Sequence, residues 1–214
     1  MPQRPFARVV LAGPHARLEP LDATHREGLR AAADCDRSTF VYAAVPRPDD
    51  DDLDVYLADA EQQHAAGAGL VFATIDGVSG EVVGSTRFMN AEYWTTPDRR
   101  PRHAVPPDAV EIGGTWLTPA AQRTGINTDA KLLMLAHAFD ALGVERVTIK
   151  TDARNARSRA NIERVGAVFE GVLRSHMRAT DGAVRDTAMY SILASEWPDV
   201  HRRLAARLRP AAPG

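Results

Sequence analysis

The sequence contains a single cysteine, Cys35, in a chain of 214 residues. One cysteine excludes an intrachain disulfide and a zinc site built from several thiolates. Asp34 and Asp36 flank Cys35, and their negative charges are expected to raise the pKa of its thiol. A cysteine nucleophile is therefore poorly supported.

Long hydrophobic runs are also missing. No apolar run approaches the roughly 20 residues that a membrane-spanning helix needs. The apolar run at Val9–Ala12 is too short for the hydrophobic region of a secretory signal. We therefore expect a soluble cytoplasmic protein without a membrane partner.

The sequence lacks an excess of one charge, with 26 Lys and Arg against 28 Asp and Glu and a net charge of −2. This balance gives no global attraction to nucleic acid. The Walker A, dinucleotide-binding, zinc-protease and Gly-x-Ser-x-Gly motifs are absent as well. We therefore expect no metal and none of those four chemistries.

The length and the apolar periodicity predict one mixed α/β domain over 1–214, with a core at 16–194 and a C-terminal tail at 195–214. Gly, Pro and Asp-Gly signals separate the predicted elements. The predicted strands are 16–21, 70–75, 81–89, 109–117, 146–152, 168–177 and 184–193; the predicted helices run from 22 or 24 to 33, from 49–52 onward, over 128–142 and over 155–165.

The longest irregular stretch is the loop 91–107, which contains a basic cluster of Arg99, Arg100, Arg102 and His103. Long loops in compact domains are often binding lids. Surface filler is the alternative interpretation.

The segment Glu111–Thr128 combines a strand, a short loop and a helix start, predicted at Asn127 or Thr128. A loop that enters a helix N-terminus presents unpaired N–H groups and the positive end of the helix dipole to an anion. Gly125 permits close backbone approach or a positive φ, and Arg123 can add charge. The pattern indicates a phosphate site, with a plain strand-to-helix turn as the alternative.

Two motifs carry a family resemblance. Gln122 and Gly125 match the pattern Gln/Arg-x-x-Gly-x-Gly/Ala, from which Asn127 departs at the final position. Asn155-Ala-Arg-Ser158, followed by Val-Gly-Ala167 and Glu170-Gly-Val-Leu-Arg174, resembles an Asn-x-x-Ser…Gly-Phe…Glu-Gly-x-x-Arg pattern. In this order and spacing, they resemble the GNAT superfamily of N-acetyltransferases, and its RimJ/RimL-type members in particular.

The resemblance implies a central mixed sheet with helices on both faces, splayed between strands 109–117 and 146–152, and acetyl-CoA as the acyl donor. It implies that Gln122–Thr128 holds the pyrophosphate, that Asn155 and Ser158 lie near the pantetheine and thiol, and that amides around Trp116 and Leu117 polarise the thioester. The implied acetyl-CoA-binding residues are Trp116, Leu117, Gln122, Arg123, Thr124, Gly125, Ile126, Asn127, Thr128, Asn155 and Ser158.

An amine acceptor must lose a proton, and Glu111 is the first candidate for a general base, acting through a water. An ion-paired strand carboxylate is the alternative. His176 is the second candidate, because an imidazole titrates near pH 6.5, although a structural histidine is the alternative there. Many relatives place a tyrosine at the position of Ile162, where it acts as an acid for the leaving thiolate. Ser158 is the candidate here, because its hydroxyl can donate a hydrogen bond to the leaving sulfur.

Strand alternation places Glu111, Gly113, Thr115 and Leu117 on one face of the strand. A bulge at Gly113-Gly114 would shift that phase. The direction of the Glu111 side chain therefore depends on the backbone.

The sequence thus predicts an N-acetyltransferase that moves an acetyl group to a primary amine by direct attack. The acceptor is a peptide N-terminus or a small-molecule amine, and the protein is a monomer or a homodimer. A GNAT-fold transferase that uses aminoacyl-tRNA and a non-catalytic CoA-binding module remain alternatives. The arginines that could contact tRNA are Arg99, Arg100, Arg102, Arg157, Arg159 and Arg164.

Overall fold

The computed structural model describes residues 6–94 and 106–209, so the basic cluster at 99–103 lies outside the described residues. The described chain forms eight strands and five α-helices around one sheet. In chain order they are β1 (Leu11–Ala12), β2 (Ala16–Pro20), α1 (Arg26–Ala33), α2 (Asp50–Ala65), β3 (Gly69–Asp76), β4 (Val82–Glu92), β5 (Ala109–Leu117), α3 (Gly125–Ala136), β6 (Arg146–Asp152), α4 (Ala156–Val165), β7 (Val168–Arg178), β8 (Val184–Leu193) and α5 (Trp197–Leu208).

The sheet has the strand order β1-β2-β3-β4-β5-β6-β8-β7. β5 and β6 are parallel, and their pairing covers only Ala109 to Glu111, opposite Arg146 to Thr148. Beyond Glu111 and Thr148 the two strands are no longer paired with each other. The predicted mixed sheet with a splay between 109–117 and 146–152 is therefore confirmed.

A bulge in β5 sets which side chains face which side. The register with β4 shifts between Arg87, opposite Gly113, and Ser85, opposite Trp116, and Gly114 has a φ of 57°. A residue with positive φ and no Cβ suits such a bulge.

The bulge reverses the simple alternation. Trp116 Nε1 donates to Tyr56 Oη on α2, whereas Thr115 Oγ1 accepts from Lys131 Nζ on α3. A Cβ on Gly113 would touch the Glu111 carboxylate, so Glu111 and Gly113 share a face. Gly113 is paired with Arg87 of β4, whose guanidinium forms an ion pair with Asp59 of α2. Glu111 thus lies on the α2 side of the sheet, opposite to Thr115.

Two apolar cores sandwich the sheet. The larger core joins the sheet to α3, α4 and α5, with Phe88, Ile112 and Met134 fully buried. The smaller core joins the other face to α1 and α2, around Leu29 and Leu53. Burial on both faces fixes the strand register, because a shift of one residue would expose the apolar side chains.

The C-terminal segment 195–214 is not a tail over its described part. α5 buries Trp197, Val200 and Leu204 in the larger core. Trp197 Nε1 also donates to Asp140 Oδ1 at 2.8 Å. The spacing of the three side chains is the helical i, i+3, i+7 pattern, which the Ala- and Arg-rich composition obscured.

No helix within residues 6–94 and 106–209 is long and apolar enough to cross a bilayer.

Candidate active site

Glu111 lies at the vertex of the splay, on the last residue pair that joins β5 to β6. Its side chain is only 6% exposed. Oε2 accepts hydrogen bonds from Asn90 Nδ2 and from Lys150 Nζ, each at 2.9 Å. The carboxylate is therefore buried with two donors, one from the strand on each side.

The N–H of Leu117 is directed into the splay. Thr118 N donates to Val83 O of β4 at 2.8 Å, and backbone groups alternate direction along a strand. Leu117, one residue earlier, therefore points its N–H and C=O away from β4. Gln122 Nε2 donates to the Leu117 carbonyl at 2.9 Å, which agrees with that direction.

The loop after β5 ends at an N-cap. Thr124 Oγ1 accepts from Ile126 N at 3.2 Å, and α3 begins at Gly125. The predicted helix start at Asn127 or Thr128 was therefore wrong: both residues lie in the first turn of α3. The sequence did contain a signal for the true start, because threonine is a favoured N-cap residue and Thr124 stands two residues before the apolar Ile126.

The first turn of α3 suits an anion at its N-terminus. Arg123 is exposed and takes a φ of 62°, while Ile126 is buried and anchors the turn in the core. Asn127 and Thr128 are half-buried in the same turn; the buried Oδ1 of Asn127, which has no partner within the described chain, is an acceptor and does not itself favour an anion. Together with the helix dipole, this end of α3 fits the pyrophosphate group that the resemblance implied.

Of the two reasons that the sequence gave for Gly125, a positive φ is wrong, and close approach of its backbone to an anion stays a prediction. Its φ is not positive, and a Cβ there would lie 2.8–3.0 Å from the ring of His15. Gly125 therefore makes room for the β1–β2 turn. Asp129, one turn further along α3, accepts from His15 N at 2.7 Å and from Ala16 N at 2.9 Å.

The start of α4 lies across the splay from this loop. Asn155 caps the helix, since its Oδ1 accepts from Ser158 N at 3.0 Å, and Ser158 is half-buried in the first turn. Arg157 donates to Gln122 Oε1 at 3.1 Å and to Thr39 O at 2.8 Å. Gln122 and Asn155, one from each motif, are therefore brought to the two sides of one opening.

His176 is not brought to the vertex of the splay. It is exposed on β7, the outer strand, and β6 and β8 lie between β7 and β5. With ~4.8 Å between neighbouring strands, β7 is roughly 14 Å from β5. The two candidate bases, Glu111 and His176, thus occupy separate parts of the sheet.

Among the arginines that could contact tRNA, the guanidinium of Arg159 is held by contacts within the described chain, whereas only the backbone of Arg164 makes such a contact. Arg159 donates to Tyr190 Oη at 3.0 Å and stacks over Phe169, and the carbonyl of Arg164 accepts from Arg207. Burial, and then the charges of Asp36 and Asp34, raise the pKa of the Cys35 thiol. The expected direction for Cys35 was correct, with burial as the larger cause.

Sequence reasoning missed Lys150, Asn90 and Lys131 as members of this region. Lys150 stood on the polar face of a predicted strand, and Asn90 at the end of another. Their convergence on Glu111 depends on the register of three strands, which no local pattern encodes. Lys131 is buried on α3 beneath the bulge of β5.

Comparison with known proteins gives a family. The model of the Acetyltransferase (GNAT) domain matches residues 15–168. A GCN5-related N-acetyltransferase from Brucella melitensis is 31% identical, with a TM-score of 0.83 over 98% of this chain and 89% of that one. RimJ of Mycobacterium smegmatis, solved with CoA-disulfide, is 23% identical, with a TM-score of 0.74 over 95% of each chain, and shows the same fold.

A curated relative matches over a shorter stretch. The Bacillus subtilis protein named "Putative ribosomal N-acetyltransferase YdaF" is 34% identical over 84 residues, which are 39% of this chain and 45% of that protein. The match therefore spans less than half the length of that relative.

Proposed function

The chain belongs to the GNAT acetyltransferase family, and we propose that it transfers the acetyl group of acetyl-CoA to the N-terminal amine of a peptide or protein by direct attack. One observation carries this proposal. A buried carboxylate, Glu111, and an inward-directed N–H, Leu117, belong to the same strand where it separates from β6.

The chain supplies groups for both ends of the donor. The N-terminus of α3 with Arg123 offers positive potential to a pyrophosphate, and Arg157 stands beside Gln122 at 3.1 Å. Acetyl-CoA supplies a thioester whose thiol has an ordinary pKa near 8.5. Ser158 donates a hydrogen bond to the departing sulfur, so a strong general acid is unnecessary.

The chemistry at the splay needs one hydrogen-bond donor for the carbonyl oxygen and one group that accepts a proton from the amine. The Leu117 N–H stabilises the negative charge that develops on the carbonyl oxygen, as oxyanion-hole donors do. Glu111 takes the proton of the amine, directly or through a water. Cys35, with its raised thiol pKa, gives no support to a covalent intermediate.

The sheet face beside Glu111 favours an extended acceptor. Cross-strand pairing puts Thr148, Ser191 and Val168 on the same face as Glu111. Val168, Leu173 and Met177 of β7 are 54%, 44% and 41% exposed. An open, partly apolar floor of this kind suits a peptide better than an enclosed pocket would. The name of the Bacillus subtilis relative points to a ribosomal protein as acceptor.

Mass spectrometry of acceptors incubated with acetyl-CoA tests the proposal. The panel contains peptides with different N-terminal residues, the same peptides with blocked N-termini, and small amines. We expect a gain of one acetyl group on free N-termini only. Acetylation of small amines alone would redirect the acceptor assignment, and no amine-dependent release of CoA from any acceptor would overturn the proposal.

A further inference from the structure

We propose that Lys150 and Asn90 are positioning residues that fix Oε2 of Glu111 and leave Oε1 as the oxygen that takes the proton of the acceptor amine. The inference rests on the proposed function, because it specifies how the carboxylate at the splay works.

The two oxygens of Glu111 have different surroundings. Oε2 receives both hydrogen bonds, from Lys150 Nζ and Asn90 Nδ2 at 2.9 Å each. These donors come from β6 and β4, so they hold the carboxylate from opposite sides. A buried carboxylate without such partners would be costly, and two charge-assisted bonds on one oxygen fix its orientation.

The backbone of β4 is distorted where it delivers Asn90. Asn90 has a φ of 50°, in the left-handed region that asparagine tolerates better than most residues. The register with β5 also shifts between Met89 and Glu92. The bulge directs the Asn90 amide at Glu111, as bulges near functional sites often redirect a side chain.

The side of Oε1 is kept open by a glycine. A Cβ on Gly113 would lie 3.1 Å from Glu111 Oε1 and 2.9 Å from the sulfur of Met89. Gly113 has no positive φ that would require glycine. Glycine at this position therefore leaves room beside Oε1 and is not required by the backbone conformation.

The other charges on this face are engaged elsewhere. Arg87 Nη1 pairs with Asp59 Oδ2 at 3.3 Å and stacks on Tyr56. Arg146, on the same face of β6 as Lys150, forms an ion pair with Glu170. Among the described residues, Lys150 is the cation that contacts Glu111.

This arrangement gives a balanced transfer step. The amine nitrogen forms a bond to the acyl carbon as the carbon–sulfur bond breaks, and the electron pair leaves with the sulfur. Oε1 of Glu111 receives the proton from nitrogen, while Lys150 and Asn90 keep Oε2 hydrogen-bonded throughout.

The test compares Glu111→Gln, Lys150→Met, Lys150→Arg, Asn90→Gly and Gly113→Ala by kcat, KM and the pH dependence of kcat/KM. Asn90→Gly removes the amide but keeps a residue that accepts positive φ. Arg146→Met is the matched control, since it breaks an ion pair on the same face of β6 away from Glu111.

We expect Lys150→Met and Asn90→Gly to lower kcat about 10-fold, a fraction of the 10²–10⁴-fold loss typical of removing a general base. Lys150→Arg should recover most of the rate. KM for acetyl-CoA should stay unchanged in all variants. In Lys150→Met the acidic limb of the pH–rate profile should move to higher pH, which a purely structural role would not cause. Gly113→Ala should lower kcat without loss of the fold, and Arg146→Met should change neither.

Two results would count against the inference in different ways. Full kcat and an unmoved pH profile in Lys150→Met, Asn90→Gly and Gly113→Ala, with Glu111→Gln impaired, would overturn the positioning roles alone. Full activity of Glu111→Gln would remove Glu111 as base and the inference with it, while acetyl transfer itself would stand. If Lys150→Met fails to fold, Asn90→Gly and Gly113→Ala decide.

Discussion

The ammonium group of Lys131 lies 2.7 Å from Oγ1 of Thr115, directly after the bulge of β5. A second hydrogen bond joins Lys131 to Thr86 Oγ1 at 3.2 Å. Lys131 is buried on α3, and no carboxylate of the described chain lies within ion-pair distance of it. Two threonine hydroxyls are thus the polar contacts of a buried cation, and they tie α3 to β5 next to Trp116.

The first prediction concerns stability and pH. Burial lowers the pKa of Lys131 to about 7, below the 10.4 of an unfolded lysine. Between these values the unfolded chain binds more protons, so stability rises with pH from about 7 to about 10. Below pH 7 the buried charge exerts its full cost. Lys131→Met should therefore stabilise the fold by roughly 1–4 kcal/mol at pH 6–7, and the gain should shrink toward pH 10.

Urea denaturation midpoints between pH 6 and pH 10 measure this effect. A difference between the two proteins that does not change with pH would contradict it. Thr115→Val is the companion variant, because it removes an acceptor and leaves the charge in place, and it should destabilise the fold.

The second prediction concerns the link between the chain start and α3. Asp129 is buried and accepts hydrogen bonds from the N–H groups of His15 and Ala16. Asp129→Ala leaves both donors without their acceptor and should cost roughly 2–4 kcal/mol. Thermal melting measures the loss. Asp199→Ala, which removes an exposed ion pair with Arg202, should cost less than about 1 kcal/mol, and equal losses would refute the role of Asp129.

The third prediction concerns side-chain packing at Gly125, measured by thermal melting. A Cβ there meets the His15 ring, so Gly125→Ala should destabilise the fold by roughly 1–3 kcal/mol, as overpacking does. Combining it with His15→Ala should restore part of that stability. If the double variant is no more stable than Gly125→Ala alone, the clash is not with His15.

The fourth prediction concerns the acyl donor. CoA at 100 times its Kd should raise the free energy of unfolding by about 2.7 kcal/mol, seen as a higher Tm. Arg157→Ala should weaken this protection, because Arg157 stands at the mouth of the loop beside Gln122. Arg178→Ala, at the β7–β8 turn, is the control. No upward shift with millimolar CoA in the unaltered protein would contradict CoA binding.

The regular elements were predictable where periodicity was strong. The bounds of β5, β6 and β8 agree with the predictions, and in β6 Val147 and Ile149 alternate with polar residues. The start of α3 was less certain, because Thr124, Asn127 and Thr128 are all residues that cap helices. Which of the three residues is the N-cap is decided by tertiary packing, because the helix starts where Ile126 can be buried in the core.

The site was predictable as a set of motifs, and its internal contacts were not. Gln122 and Asn155 could be assigned to one opening because the family fold brings the two motifs together. The pairing of Glu111 with Lys150 requires the register of a parallel pair, which depends on long-range packing. The face of β5 on which Glu111 lies, relative to Thr115 and Trp116, likewise depends on a bulge. Gly113 and Gly114 permit this bulge, but two glycines alone do not require it.

The short pairing of β5 with β6 has a consequence for local opening. Three residue pairs join the strands β1–β5 to the strands β6–β8, whereas β6 and β8 share seven pairs. Segments with few cross-strand bonds open with smaller free energies than the rest of a domain. Backbone N–H groups alternate direction along β6, so its amide hydrogens directed at β5 should exchange with deuterium sooner than those directed at β8, and the two halves of the sheet should behave as separate cooperative units.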